Sequence, residues 1–509
     1  MNYLPNLLFL KKIPKKWVFL MILGIISVKL LRNRRKPWKL LPFINKRITQ
    51  AVVEIKTKNK LEIDTLNNIV KETYHIDPNI LPEKGLDDDT LKQYIETLKT
   101  HDTKYKLISG AVYDNKNEHQ QIMMDAYKEF AYSNPMHGDI YNSIVYMERN
   151  IINMLSQLLD NNVSCGTITN GGTESLFLAV KTYRDLNKSK NPNVVVPDTF
   201  HCSIDKICHY LCVNVIKIKT SDEHRVSVSH ILKNITNDTI CVMLSAPSYG
   251  YGIMDNVYEI GPVLDKYNIP IHVDACLGGF IWMFQDIGKN YSFNIKGVTS
   301  ISICLHKYGY SHKGVSSIIY KEERYLKYQY FSTDDWDGGF YVSPSFLGSR
   351  SGGLVAQAWV GLLSRGHAYY HKSSTDIINL SVYIYNKLLN NKYITTLFPR
   401  DLNIVAFSIG KKTYELYDYL AEKGFILNAL QNPPAIHICI TLQHTKKLID
   451  ELCNEIYVFM SKNDTIVLKE GLAPIYGMRS GIPLYSSAIM NTCLKIFLSS
   501  KYSNTLIKK

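Results

Sequence analysis

The sequence predicts an α/β protein with a large domain built on a mainly parallel mixed sheet, a smaller C-terminal α+β domain, and an N-terminal membrane anchor ahead of both. Three observations predict it. Between about 165 and 345, short apolar runs alternate with helical patterns, the grammar of strands joined by crossover helices. Beyond 375 the pattern turns to helices with isolated strand candidates. Ahead of residue 50, an uncharged apolar stretch lies inside a purely basic segment. The chain accordingly divides into 1–40 (anchor with basic flanks), 41–150 (helical segment), 151–366 (large domain) and 367–509 (small domain).

In chain order, the first element is the run Trp17–Val28, which holds no charge and is extended past Lys29 by Leu30 and Leu31. About 20 apolar residues span a bilayer, so this stretch is short and relies on Lys29 reaching out to the interface. Lys29, Arg32, Arg34, Arg35 and Lys36 stand where a signal peptidase would need small residues, which argues against a cleaved signal. An interfacial helix is the other reading. The heavier basic flank follows the run, which turns the body toward the cytoplasm, with the endoplasmic reticulum the expected membrane. Next, Asp87, Asp88 and Asp89 open a helix as N-terminal acids. Ile144, Met147, Ile151, Met154 and Leu158 recur at helical spacing over 140–160. Buried-strand candidates are Val194–Val196, Val213–Ile218, Thr239–Leu244, Ile269–Val273 and Ser317–Tyr320, with helices over 173–186, 203–212 and 255–267 between them. A helix near 353–366 leads to the last region, where two more helices accompany strands at Ile404–Ile409 and Ile436–Thr441.

A chain of 509 residues exceeds one compact core. At 46% hydrophobic and 20% charged residues it is an ordinary globular composition. Of the formal net charge of +14, residues 1–50 supply +12 through eight Lys and four Arg with no acid, leaving +2 for the rest. The body therefore lacks the basic footprint of a nucleic-acid binder. The ten Cys are scattered, several in apolar runs, as core thiols of a reducing compartment are. No CxxC pair supports a zinc site, and no metal is expected.

Three segments carry chemistry. Thr169-Asn170-Gly171-Gly172-Thr173-Glu174-Ser175 leads into a helix, and a glycine turn at a helix N-terminus offers free N–H groups to an anion, although the same residues also make an ordinary cap. Ile271-His272-Val273-Asp274 ends a buried strand on a carboxylate, followed by Ala275-Cys276-Leu277-Gly278-Gly279. Such a carboxylate needs a cation: a protonated pyridinium nitrogen, a metal, or a turn's own amides. In Ser302-Ile303-Cys304-Leu305-His306-Lys307-Tyr308-Gly309 a lysine follows an apolar run, where partial burial and cationic surroundings depress its pKa and favour bonding to an aldehyde. Most lysines are merely solvated. The order of the three in an α/β chain points to pyridoxal 5'-phosphate, with Lys307 as its covalent anchor and Asp274 at its ring nitrogen.

These segments resemble those of the sphingosine-1-phosphate lyase family, pyridoxal-phosphate enzymes of fold type I related to the group II decarboxylases. The likeness extends to Ser109-Gly110-Ala111-Val112-Tyr113, Ser133-Asn134-Pro135-Met136-His137-Gly138-Asp139, Asp335-Trp336-Asp337-Gly338-Gly339, Gly348-Ser349-Arg350-Ser351-Gly352-Gly353 and Leu427-Asn428-Ala429-Leu430-Gln431. The resemblance implies that His201 stacks on the ring and that Gly172, Thr173 and His306 hold the cofactor phosphate. It implies that Gly348 and Ser349 join them from a neighbouring subunit of a homodimer, and that Tyr113, His137, Tyr310 and Lys313 face the substrate. On their own residue types, His201 reads equally as a core histidine, Tyr113 as a packing aromatic and Lys313 as a loop charge. The implied reaction cleaves the C2–C3 bond of a phosphorylated long-chain base to a fatty aldehyde and phosphoethanolamine, with the membrane as a partner that supplies the lipid. Amino-acid decarboxylation and a non-enzymatic, partner-binding relic are the rival readings. The sequence departs from the family at Cys304-Leu305, where Asp-Thr is usual, in Ser311-His312-Lys313-Gly314, where Ala-Pro-Lys-Gly is usual, and at Asn170 and Phe200.

Overall fold

The computed structural model describes residues 61–102, 104–114, 116–461, 495, 498 and 499. They fall in two units. One takes in the chain through Lys104 together with Leu472–Lys509. Its described part includes α1 (Asp88–Thr100), where the Asp87 carboxylate accepts the Thr90 N–H at 2.9 Å, so the acidic run is indeed a helix start.

The other unit, Tyr105–Gly471, holds a seven-stranded sheet, a four-stranded sheet and two two-stranded pairings. Its seven-stranded sheet runs in the order β1-β7-β6-β5-β4-β2-β3, where β1 is Cys165–Thr169, β2 Asn193–Pro197, β3 Asn214–Ile218, β4 Thr239–Ser245, β5 Ile271–Asp274, β6 Val298–Ile303 and β7 Ser316–Tyr320. β3, β2, β4, β5 and β6 are mutually parallel, and β7 runs antiparallel to both β6 and β1. β2, β4 and β6 are buried along their whole length, and none of them carries a charged residue. α2 (Asn117–Glu129), α3 (Asn142–Leu158), α4 (Gly172–Asn187), α5 (Ser203–Leu211) and α6 (Val257–Asp265) belong to the same unit. α7 (Gly352–Leu389) is two helices broken at Gly366, whose φ of 65° no helix allows. After it, β8 (Thr396–Leu397), β9 (Ile404–Ser408), β10 (Asn428–Leu430) and β11 (Ala435–Cys439) form an antiparallel sheet in the order β8-β9-β11-β10, with α8 (Thr413–Glu422) and α9 (Lys446–Ser461).

The expected architecture is corrected in one respect. Among the described residues no helix is long and apolar enough to cross a membrane, and the stretch Trp17–Leu31 lies outside them. Among the described residues the fold class is the α/β fold, with no membrane-spanning helix. The anchor, the membrane as partner, the single-pass orientation toward the cytoplasm and the endoplasmic reticulum placement are dropped with it.

Candidate active site

Three strand ends build the site. At the end of β5, Asp274 is 8% exposed and its Oδ1 accepts from the Cys276 amide at 3.0 Å and Ser302 Oγ at 3.3 Å. Those bonds fix the carboxylate and leave Oδ2 for a further donor. Beyond β1, Gly171 turns the chain at φ 136° and α4 begins at Gly172. The Glu174 and Ser175 amides go to Gly171 O at 3.0 and 3.2 Å, so those of Gly172 and Thr173 stand at the open end of the helix. Glu174 reaches back to the Asn170 amide at 2.6 Å and also takes the Phe346 amide at 3.0 Å, which holds the glycine turn in shape.

Lys307 follows β6 in a turn, with Tyr310 N–H closing on its carbonyl at 3.0 Å. Its amine has Cys304, Cys276, Tyr113 and Asp274 as charge neighbours. Burial lowers the pKa of this amine, but the anionic groups, Cys304 first, outweigh burial and hold it above the ordinary lysine range. This reverses the expected depression: the surroundings are anionic, not cationic. The partner effect falls on Cys304, where burial opposes ionisation but the Cys276 hydrogen bond, the Lys307 charge and His306 bring the thiol down to about 5. Lys307 and Cys304 thus each favour the charged form of the other.

Around this pair the other expected residues divide. Tyr113 is buried, meets Tyr308 edge-on at 4.8 Å, and has the Lys313 ammonium 4.7 Å above its ring. Lys313 Nζ donates to Ala111 O at 2.5 Å, and burial followed by the Lys307 charge lowers its pKa. Both therefore join Lys307. His201 accepts the Ser203 amide at Nδ1 (3.2 Å), which leaves the proton on Nε2, and lies edge-on to Tyr249 at 6.3 Å. The His306 Nδ1–H donates to Val315 O at 2.6 Å, so its neutral ring offers no N–H to an anion at Nε2, and burial lowers its pKa. Tyr310 is buried in a stack on Tyr370 (5.8 Å, 5°) rather than open to the cleft. His137 is exposed in the turn Pro135–His137. The neighbouring Asn134 binds Ser349 Oγ at 3.2 Å and the Arg350 amide at 3.2 Å, and thereby holds the Gly348–Arg350 loop within this chain.

Sequence reasoning missed what supports Tyr113. Its loop carries positive φ at Gly110 (63°) and at Ala111 (59°), a conformation that must be held in place. Ser109 Oγ accepts from Asn428 Nδ2 at 2.7 Å and Cys439 N at 2.9 Å. Asn428 Nδ2 also donates to His437 Nε2 at 3.0 Å, and the His437 Nδ1–H donates to Gly250 O at 2.8 Å. A histidine in the middle of an apolar strand gave no sign of this.

The pyridoxal-dependent decarboxylase conserved domain matches residues 75–410. The rat sphingosine-1-phosphate lyase 1 is 34% identical over 498 residues, 93% of this chain and 84% of its own length. The chain belongs to the sphingosine-1-phosphate lyase family. The Arabidopsis thaliana sphingosine-1-phosphate lyase is 35% identical, covering 83% of this chain and 81% of that protein. Among solved structures, a Burkholderia pseudomallei sphingosine-1-phosphate lyase superposes with a TM-score of 0.72 at 24% identity, covering 82% of this chain and 96% of that one, which establishes the shared fold. The cofactor of this fold is pyridoxal 5'-phosphate, and the residues here fit it. The open helix end suits its phosphate, Asp274 its ring nitrogen and Lys307 its aldehyde.

Proposed function

We propose that this chain cleaves the C2–C3 bond of a phosphorylated long-chain base, releasing a fatty aldehyde and phosphoethanolamine. One observation carries the reading: the buried Lys307 faces Asp274 and Tyr113 beside the open N-terminus of α4. When bound, pyridoxal 5'-phosphate supplies the electron sink that accepts the pair released at C2. The amides of Gly172 and Thr173 would bind its phosphate, with the neutral His306 ring packed beside them and Gly348 and Ser349 joining from a neighbouring subunit. The Asp274 carboxylate would keep a proton on the ring nitrogen, and His201 would lie against the ring face. Lys307 would hold the cofactor covalently and, once its amine is free, would carry a proton at Nζ for delivery to C2. Tyr113, its phenol kept neutral by burial, orients the C3 hydroxyl by a hydrogen bond, and the substrate phosphate accepts that hydroxyl's proton. Lys313 and His137 bind that phosphate, and Tyr310 backs the Lys307 turn. In this division of labour, residues 151–366 hold the cofactor, while 367–509, through Asn428 and His437, set the loop that carries Tyr113.

Purified protein loaded with cofactor and given a phosphorylated long-chain base should release one aldehyde per phosphoethanolamine. Carbon dioxide from an amino acid, with no aldehyde from the lipid, would mark a decarboxylase instead.

A further inference from the structure

Beneath the first turn of α4 lie two thiols that the proposed reaction does not require as a pair. Asp274 is paired with Ser302 across the parallel strands β5 and β6, and the Ala275 amide donates to Ser302 O at 2.9 Å. The same register, carried two residues further, sets Cys276 beside Cys304. A Cβ built on Gly172 would meet Cys276 Sγ at 2.7 Å and Cys304 Sγ at 3.0 Å, so both sulfurs press on one point of the helix start. Ser302 Oγ lies 3.4 Å from Cys276 Sγ, and Ser316 Oγ donates to Cys304 Sγ at 3.1 Å. Adjacent strands run about 4.8 Å apart, inside the window of about 4.4–6.8 Å between Cα atoms that a disulfide needs.

We infer that Cys276 and Cys304 are a redox-active dithiol that hydrogen peroxide closes into a disulfide across β5 and β6, disabling the cofactor site. Cys304 is the attacking sulfur, because the Ser316 hydroxyl donates to it at 3.1 Å and so supports its thiolate. Its thiolate displaces hydroxide from peroxide and becomes a sulfenic acid. The Cys276 sulfur then attacks that sulfur, an S–S bond forms, and water leaves. Two thiols lose two electrons and two protons, and one peroxide becomes two waters. The pair is nearly closed to solvent, at 7% and 2% exposure, so an oxidant the size of water reaches it while bulky reagents do not. Closure ties the strand end bearing Asp274 to the turn bearing Lys307, directly under Gly172. The inference rests on the thiol geometry and holds whichever substrate the site takes.

The test uses the cofactor-loaded full chain, treated with graded hydrogen peroxide, alkylated after denaturation, digested and mapped by mass spectrometry. The expected product is a peptide pair joined through Cys276 and Cys304, split by dithiothreitol and absent from Cys276→Ser and Cys304→Ser. Cross-linked protein should turn over at least tenfold more slowly and recover on reduction. Two results would overturn the inference: both thiols still alkylatable at doses that oxidise the exposed Cys202 and Cys212, or a cross-linked enzyme of full activity. Were either serine variant unable to fold, the map of the unmutated protein decides alone.

Discussion

Lys307 and Cys304 occupy one turn, and each sets the charge of the other. The motif around Lys307 was legible because a lysine after an apolar strand is unusual. Its electrostatics were not, because the neighbours that decide them come from β5 and from the Tyr113 loop, far away in sequence. Cys304→Ala is expected to remove the main anionic neighbour, so Lys307 should bind cofactor covalently at lower pH than the parent; the pH dependence of cofactor capture by the apoprotein measures this. Asp274→Ala should keep the fold, since the carboxylate's partners are its own turn amide and one serine. Its turnover should fall by about 10²-fold or more, the scale of a lost proton-holding group, with circular dichroism unchanged. Full activity in that variant would remove Asp274 from the ring nitrogen.

At the scale of elements, β2 to β5, β7 and the helices α3 to α6 were readable from hydrophobic pattern alone, since burial gathers apolar runs and one-sided burial forces a helical stripe. β1 and β6 were not. Both mix Thr, Ser or Gly with their apolar residues, whereas α7 breaks at Gly366, where its first helix was expected to end. The start of α4 is where packing is tightest. Gly172→Ala drives a methyl into two sulfurs, at 2.7 and 3.0 Å, and is expected to cost about 1–3 kcal/mol, read by denaturant unfolding, with weaker cofactor retention on dialysis. α3 and the Gly348–Arg350 loop are joined by the buried Arg350–Glu148 pair at 2.9 Å, in which Glu148 also takes the Ile168 amide. Arg350→Ala leaves that carboxylate unpaired and should cost about 3–5 kcal/mol. Arg350→Ala with Glu148→Gln should recover part of the loss.

For the whole molecule, two buried histidines tie stability to pH. His272 and His437 are fully enclosed, and burial lowers both to about 4 from 6.5. Between those values the unfolded chain binds protons that the native one does not, so stability rises with pH through this window and is lost as pH falls from 6.5 toward 4. His437→Gln should flatten that slope in urea unfolding measured at pH 4.5, 5.5 and 6.5, and an unchanged slope would refute the neutral assignment. The α/β architecture and the cofactor class were legible because three short segments carry them in order. The support of Tyr113 was hidden, since it runs from Ser109 through Asn428 to His437 and Gly250 and exists only once the second sheet has folded. All of the chemistry depends on one amine meeting one aldehyde. Reduction of the cofactor-loaded protein with borohydride, followed by peptide mapping, should find a single pyridoxyl adduct on Lys307; an adduct on any other lysine, or none at all, would contradict the account.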